Sequence, residues 1–159
     1  MKIRQAEVTD VPQLVALNRI AHDMHADAFP GRFRRDASEQ VVAGAFTAII
    51  EAPASYWLVA EEEQPVGFLS AEFRECGETW CLAARRVCYL AGMVVAPGFR
   101  RRGIARALLG GLRREAEARG VSAIELDVWA FNEEARDAFA RLGFKPLMER
   151  MALSADEPS

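Results

Sequence analysis

The sequence predicts a single α/β (α+β) domain. Three observations carry this reading. Short apolar segments suited to strands alternate along the chain with segments whose apolar residues recur every three or four positions. Turn-forming pairs and glycines such as Pro30-Gly31, Pro97-Gly98, Gly120 and Gly143 separate them. At 159 residues the chain has one domain's length, enough to bury roughly 70% of its unfolded surface without a disulfide or metal.

The elements follow in order. Lys2 to Glu7 reads as a first strand. Thr9-Asp10 offers a helix N-cap, with Pro12 just inside a helix to about Met24 whose apolar face holds Val11, Leu14, Val15 and Leu17. After a break at 28–33, Asp36 to about Ile50 reads as a second helix, with Ser38 another candidate cap. Tyr56 to Ala60 and Val66 to Phe73 form a hairpin around the acidic turn 61–65. The less regular stretch 76–84 leads to a longer strand, Val87 to Val95, with Gly92 inside it, where a glycine marks a bulge or a close backbone approach. A helix spans about Arg102 to Arg119 and stops at Gly120. Ala123 to Trp129 is the next strand, Glu133 to Leu142 a helix ended by Gly143, and Phe144 to Leu153 a last strand or strand pair. The domain is expected to span 1–153, with 154–159 a frayed polar tail.

Composition narrows the function. Net charge is −3 with both signs mixed along the chain, which argues against general nucleic-acid binding. No apolar run nears the ~18 residues a membrane span needs, and the N-terminus lacks a secretory core, so no membrane partner is expected. Cys76, Cys81 and Cys88 are odd in number and lack Cys-x-x-Cys spacing, which reads as reduced thiols of a cytoplasmic protein with no metal.

The most informative segment is 94–109. An apolar run stops at Pro97-Gly98, and the basic stretch Arg100-Arg101-Arg102-Gly103-Ile104-Ala105-Arg106 then opens a helix carried by Ile104, Leu108 and Leu112. The first N–H groups of such a helix lack carbonyl partners and sit at the positive end of its dipole. Gly103 and Ala105 leave room for a phosphate to approach the backbone. A bound phosphorylated small molecule is the implication. A Rossmann dinucleotide site fits poorly, because the Gly-x-Gly-x-x-Gly spacing is missing and Trp129 ends the following strand.

Read as Arg100-x-x-Gly103-x-Ala105, this segment resembles the (Gln/Arg)-x-x-Gly-x-(Gly/Ala) signature of the GNAT superfamily of N-acetyltransferases. The block from Leu126 through Asn132 to Leu142-Gly143-Phe144 is similar to a later motif of that family, and the element order matches over nearly the whole chain. The resemblance implies a mixed, strongly twisted sheet of six to seven strands with helices on both faces, splayed between the fourth and fifth strands. It implies acetyl-CoA as co-substrate, lying in the splay. Met93, Val94 and Val95 would pair with the pantetheine arm, and the N–H groups from Arg101 to Arg106, through Arg102, Gly103, Ile104 and Ala105, would hold the pyrophosphate. Asn132 matches the asparagine that binds the pantetheine side, although it also suits a helix N-cap. A backbone N–H of Val94 or Val95 would face the oxyanion.

Acetyl transfer to an amine also needs a proton acceptor and benefits from an acid at the departing thiolate. Many relatives carry a tyrosine acid seven residues after the asparagine, where this chain has Phe139. A thiolate of pKa about 8.5 leaves tolerably without one. Glu72 and Tyr89 are the candidate catalytic residues by position. His22 and His25 share a helical face in a region that lines acceptor pockets in relatives, and Trp80 could wall that pocket. No cysteine matches a cofactor motif, so direct attack of the amine on the thioester is expected. Glu72, Glu75 and Glu78 on one side and Asp23 and Asp27 on the other suit a small cationic amine as partner, with a peptide amine also open and a homodimer compatible. The rival readings are a CoA-binding sensor without turnover, which Phe139 favours, and a nucleic-acid module built on the arginine run.

Overall fold

The computed structural model describes residues 1–153, so the expected tail from Ser154 lies outside the described residues. The chain divides into two compact units, residues 1–127 and the segment from Val128 onward.

The first unit runs β1 (Lys2–Gln5), a 3-10 turn (Val8–Asp10), α1 (Val11–Ala28), α2 (Glu39–Ile50), β2 (Ser55–Glu61), β3 (Pro65–Cys76), β4 (Arg85–Val95), a second 3-10 turn (Pro97–Phe99), α3 (Ile104–Ala118) and β5 (Ile124–Leu126). The sheet order is β1-β2-β3-β4-β5. The first four strands pair antiparallel and β5 pairs parallel to β4. A parallel neighbour needs a crossover, and α3 supplies it.

Alternation along the strands sorts the core to two faces. Trp57, Val59, Phe68 and Val94 bury one face against Leu14 and Leu17 of α1 and Phe46 and Ile50 of α2. Trp57 stacks on Phe68 with ring centroids 5.6 Å apart, and Phe46 closes on Trp57 at 5.2 Å. Leu58, one residue out of phase, points to the other face and meets α3. There Ile104, Leu108, Leu112 and Ala116 are buried at helical spacing. Each such leucine stabilises the fold by about 2 kcal/mol. A Cβ at Gly111 would lie 2.7 Å from Leu58 Cδ1, so the glycine lets α3 lie close against β2.

Two expected caps resolve differently. Ser38 caps α2 as expected, its hydroxyl accepting from the Val41 N–H at 3.3 Å, and the helix starts at Glu39 rather than Asp36. Asp10 makes no cap bond to α1. Its buried carboxylate instead accepts from both arms of the Arg4 guanidinium at 2.8 Å and from the Glu7 N–H at 2.8 Å, while Arg4 also donates to Glu61 at 2.7 Å. This network ties β1 to β2 and to the entry of α1.

In the second unit, α4 (Glu133–Arg141) opens on Asn132, whose side chain accepts from the Ala135 N–H at 3.1 Å. It closes on Gly143 at φ 97°, with the Phe144 N–H bonded to the Phe139 carbonyl at 3.0 Å.

The expected six to seven strands are five among the described residues. The missing ones belong to 144–153, read as a strand or strand pair. Pro146 has no N–H to give a ladder, and the adjacent Leu147-Met148 break the two-residue alternation. Leu147, Met148, Met151 and Leu153 are all exposed, so little burial offsets the entropy of ordering a strand. The strand read over 123–129 is also shorter, ending at Leu126. Past it the chain turns, with the Asn132 N–H bonded to the Trp129 carbonyl.

Candidate functional site

The site begins where the β4–β5 ladder ends. Cys88, Tyr89 and Leu90 pair with Ile124, Glu125 and Leu126, and the ladder stops there. On the β3 side, Leu90 pairs with Ala71 and Gly92 with Ser70, which leaves Ala91 as an extra residue. The bulge thus falls beside Gly92, as the glycine implied. A Cβ on Gly92 would press to 3.1 Å from the Ser70 hydroxyl, so the small residue keeps the register intact. Beyond the bulge, Met93, Val94 and Val95 pair with Leu69, Phe68 and Gly67 alone. Their other edge carries no strand among the described residues, so its polar groups are open to an added strand-like ligand. Val94 is buried in the Trp57–Phe68 core and fixes this edge in place.

The chain leaves β4 through the 97–99 turn into the basic loop. Arg101 sits at φ 61° and Gly103 at φ 80°, both left-handed. That local winding turns successive N–H groups toward one side. The first backbone bond into α3 is from Ala107 to the Gly103 carbonyl at 3.0 Å. Among the described residues, the N–H groups of 101–106 have no acceptor. Nothing lies within 4 Å of the position a Gly103 Cβ would take, so the approach to these donors is clear. Arg100, Arg101, Arg102 and Arg106 are exposed around it. Arg100 donates to the Val95 carbonyl at 3.3 Å, and Arg102 lies over the Phe99 ring at 5.0 Å. Ile104 is buried and anchors the helix start, with Ala105 half-buried beside it. Unpaired N–H groups, a helix dipole and four guanidinium groups together favour a polyanion such as a diphosphate.

A second cluster stands on the sheet face that Trp57 and Phe68 share. Glu72 and Tyr89 are direct cross-strand partners. Arg74 bonds Glu72 at 2.8 Å and places its guanidinium 3.7 Å from the centre of the Tyr89 ring. The Tyr89 hydroxyl donates to Asp127 at 3.0 Å. Two residues before Asp127, Glu125 of β5 is ion-paired with Arg85. Glu72 and Tyr89, named from sequence, are therefore brought together. Arg74 and Asp127 were missed. Their signal was the two-residue spacing from Glu72 and from Glu125, which puts like-facing charges on neighbouring strands.

Other expected residues lie elsewhere. His22 and His25 both sit on α1 and share a face, as their spacing required. They fasten the segment that follows: His22 Nε2 lies 2.6 Å from the Arg34 carbonyl, and His25 stacks on Phe33 with centroids 5.3 Å apart. Burial, then the neighbouring His22, hold the His25 pKa below its ordinary value. Trp80 projects from the β3–β4 connection and is 97% exposed. In the second unit, Asn132 serves α4 as its cap and Phe139 packs edge-on against Phe144 at 5.6 Å. Cys88 is buried, and burial pushes its thiol up to about 11. No group of three or more metal-ligating side chains gathers among the described residues. No helix among them is long and apolar enough to cross a membrane.

Comparison with known proteins agrees with this geometry. The acetyltransferase (GNAT) family model matches residues 18–144. A tetramutant of the BH1408 protein from Bacillus halodurans superposes with a TM-score of 0.90 at 26% identity, over 97% of this chain and 99% of that one. The aminoglycoside N-acetyltransferase AAC(6')-Iy in complex with CoA gives 0.74 at 21% identity, over 98% and 94%. The aminoglycoside 6'-N-acetyltransferase AAC(6')-IG from Acinetobacter haemolyticus gives 0.76 at 18% identity, over 99% and 100%. At such identities the last two similarities speak to fold. No curated protein sequence matches. A family match over most of the chain, on a mixed sheet whose β4 leads through a basic loop into α3, has one reading: the chain belongs to the acetyltransferase (GNAT) family, whose enzymes take their acetyl group from acetyl-CoA.

Proposed function

We propose that this protein is an N-acetyltransferase that passes the acetyl group of acetyl-CoA directly to a primary amine of a small cationic molecule. The observation that carries the donor half is the fan of unpaired N–H groups at 101–106 around an unobstructed Gly103, continuous with the open edge of β4. The residues fit the donor: the loop offers donors and positive charge to a diphosphate, and Met93 to Val95 offer a strand edge to an amide-bearing arm. Bound there, acetyl-CoA supplies the activated thioester.

The acceptor half rests on chemistry at the β3–β4–β5 face. A protonated amine is drawn to carboxylates, and it must lose a proton before it can attack. Glu72, Glu125 and Asp127 supply negative charge on that face. Two solved structures of similar fold are aminoglycoside N-acetyltransferases, which supports a small amine acceptor here. Direct transfer fits the cysteines, since Cys88 is buried with a raised pKa and no cysteine lies in the basic loop.

Two measurements test this. Calorimetric titration with CoA should show one site per chain, and CoA thiol release should accelerate when a panel of amines is added to protein and acetyl-CoA. CoA binding with no release across the panel would instead support a CoA-binding sensor. Phe139, a phenylalanine where many relatives carry a tyrosine, favours that second reading.

A further inference from the structure

We propose that Asp127 is the group that receives the acceptor's ammonium and takes its proton, with Tyr89 as its positioning residue. The proposal rests on the N-acetyltransferase reading and names the acceptor-side residue within it.

Three carboxylates share the sheet face around Tyr89, and their partners tell them apart. Glu72 is engaged by the Arg74 guanidinium at 2.8 Å. Glu125 is engaged by the Arg85 guanidinium. Asp127 is held only by a neutral donor among the described residues, the Tyr89 hydroxyl at 3.0 Å. An ion-paired carboxylate has its charge largely matched already, so a cationic substrate gains little by approaching it. A carboxylate held by a phenol keeps its full negative charge and a second oxygen, Oδ1, for another donor.

Position agrees with charge. Asp127 follows Leu126 directly, and Leu126 opposite Leu90 is where the β4–β5 ladder ends. The carboxylate therefore stands one residue past the end of the β4–β5 ladder, at the level where β4 enters its bulge. Tyr89 is itself fixed from the other side, because Arg74 lies 3.7 Å from its ring centre and is held by Glu72. The chain Glu72, Arg74, Tyr89, Asp127 thus spans three strands and fixes one carboxylate orientation. In the step, an acceptor N–H proton passes to Asp127 Oδ1, giving the neutral amine and a carboxylic acid. The freed lone pair forms the new N–C bond as the C–S bond breaks, the electron pair leaves on sulfur as thiolate, and the second proton lost from the new amide nitrogen neutralises that thiolate to the CoA thiol.

The test compares Asp127→Asn, Asp127→Glu, Tyr89→Phe and Glu72→Gln with the parent protein. Spermine binding by calorimetry, without any donor present, reads the ammonium contact apart from turnover. Asp127→Asn should weaken it about tenfold, and Glu72→Gln, which releases Arg74 but leaves the Asp127 carboxylate in place, by clearly less, about threefold. With the amine turned over fastest in the panel, Asp127→Asn should lower kcat by about 100-fold, and Asp127→Glu should restore part of it. Tyr89→Phe should lower kcat with KM little changed. CoA titration of each variant reports folding and the donor site. Undiminished spermine binding and kcat in Asp127→Asn, absence of spermine binding in the parent, or equal losses in Glu72→Gln would each overturn the proposal while leaving the donor reading intact. Loss of CoA binding by the parent would instead remove the reading on which it rests.

Discussion

Leu90 and Leu126 are the last residues to face each other across β4 and β5, and the next residue of β4, Ala91, is the extra one of a bulge. β5 has ended at that point, and β4 runs on past the bulge paired with β3 alone. Met93 to Val95 thus carry no strand on their other edge among the described residues, and the chain passes from them into the basic loop that opens α3.

Gly103 is left-handed at φ 80° and its Cβ direction is open. Gly103→Ala should cost about 1 kcal/mol of stability from backbone strain alone. Gly103→Glu adds bulk and a negative charge among the unpaired N–H groups, and should abolish CoA binding in a calorimetric titration while circular dichroism stays unchanged. Unchanged CoA affinity would remove the loop from the donor site.

Gly67 holds the opposite side of the open edge. A Cβ there would lie 2.9 Å from the Val94 carbonyl oxygen, a backbone atom that can move only with β4. Gly67→Ala should destabilise the protein by about 1–3 kcal/mol, seen as a lower Tm, and weaken CoA binding through displacement of Val94. A Tm equal to the parent's would contradict the tight β3–β4 contact.

Asp10 links stability to pH. The Arg4 side chain, then the Glu7 N–H, hold its carboxyl below its ordinary value against the opposing effect of burial. A carboxyl with a depressed folded-state pKa stabilises above the unfolded value of about 4, and that contribution is lost as pH falls through the folded value. Asp10→Asn should therefore cost about 2 kcal/mol at pH 7 and little at pH 2, measured by urea unfolding at both. An equal loss at the two pH values would show that the effect is not ionic.

Cys88 should be inert. Burial raises its thiol to about 11, whereas Cys81 is exposed and Cys76 partly so. Titration of the native protein with a disulfide reagent at pH 8 should label Cys81 fastest and leave Cys88 until denaturant is added. Early labelling of Cys88 would reopen a covalent route.

Much of the architecture was legible from local patterns. Apolar spacing, caps and glycine stops located the four α-helices of the described residues, and Gly92 marked the bulge, because these depend on neighbours in sequence. The path of the basic loop was legible for the same reason, since a strand, a turn and a helix start follow one another directly there. What escaped depends on distant partners. Asp10 reads locally as a cap, yet Arg4 and Glu61 redirect it. The segment 144–153 has strand-like residues, but a strand requires an edge to pair with and a face to bury. The Tyr89–Asp127 bond was not legible because the two residues lie 38 apart and meet only through the pairing of β4 and β5. The shared helical face of His22 and His25 was legible from their spacing, whereas their contacts with Arg34 and Phe33 were not.

The central claim is that the open β4 edge and the α3 entrance hold the acetyl donor together. Amide hydrogen exchange with and without CoA tests it most directly. The account predicts slowed exchange at residues 93–95 and 101–106, with the strongest slowing at the loop amides. Slowing confined to other segments, with these amides exchanging as fast as in the free protein, would contradict it.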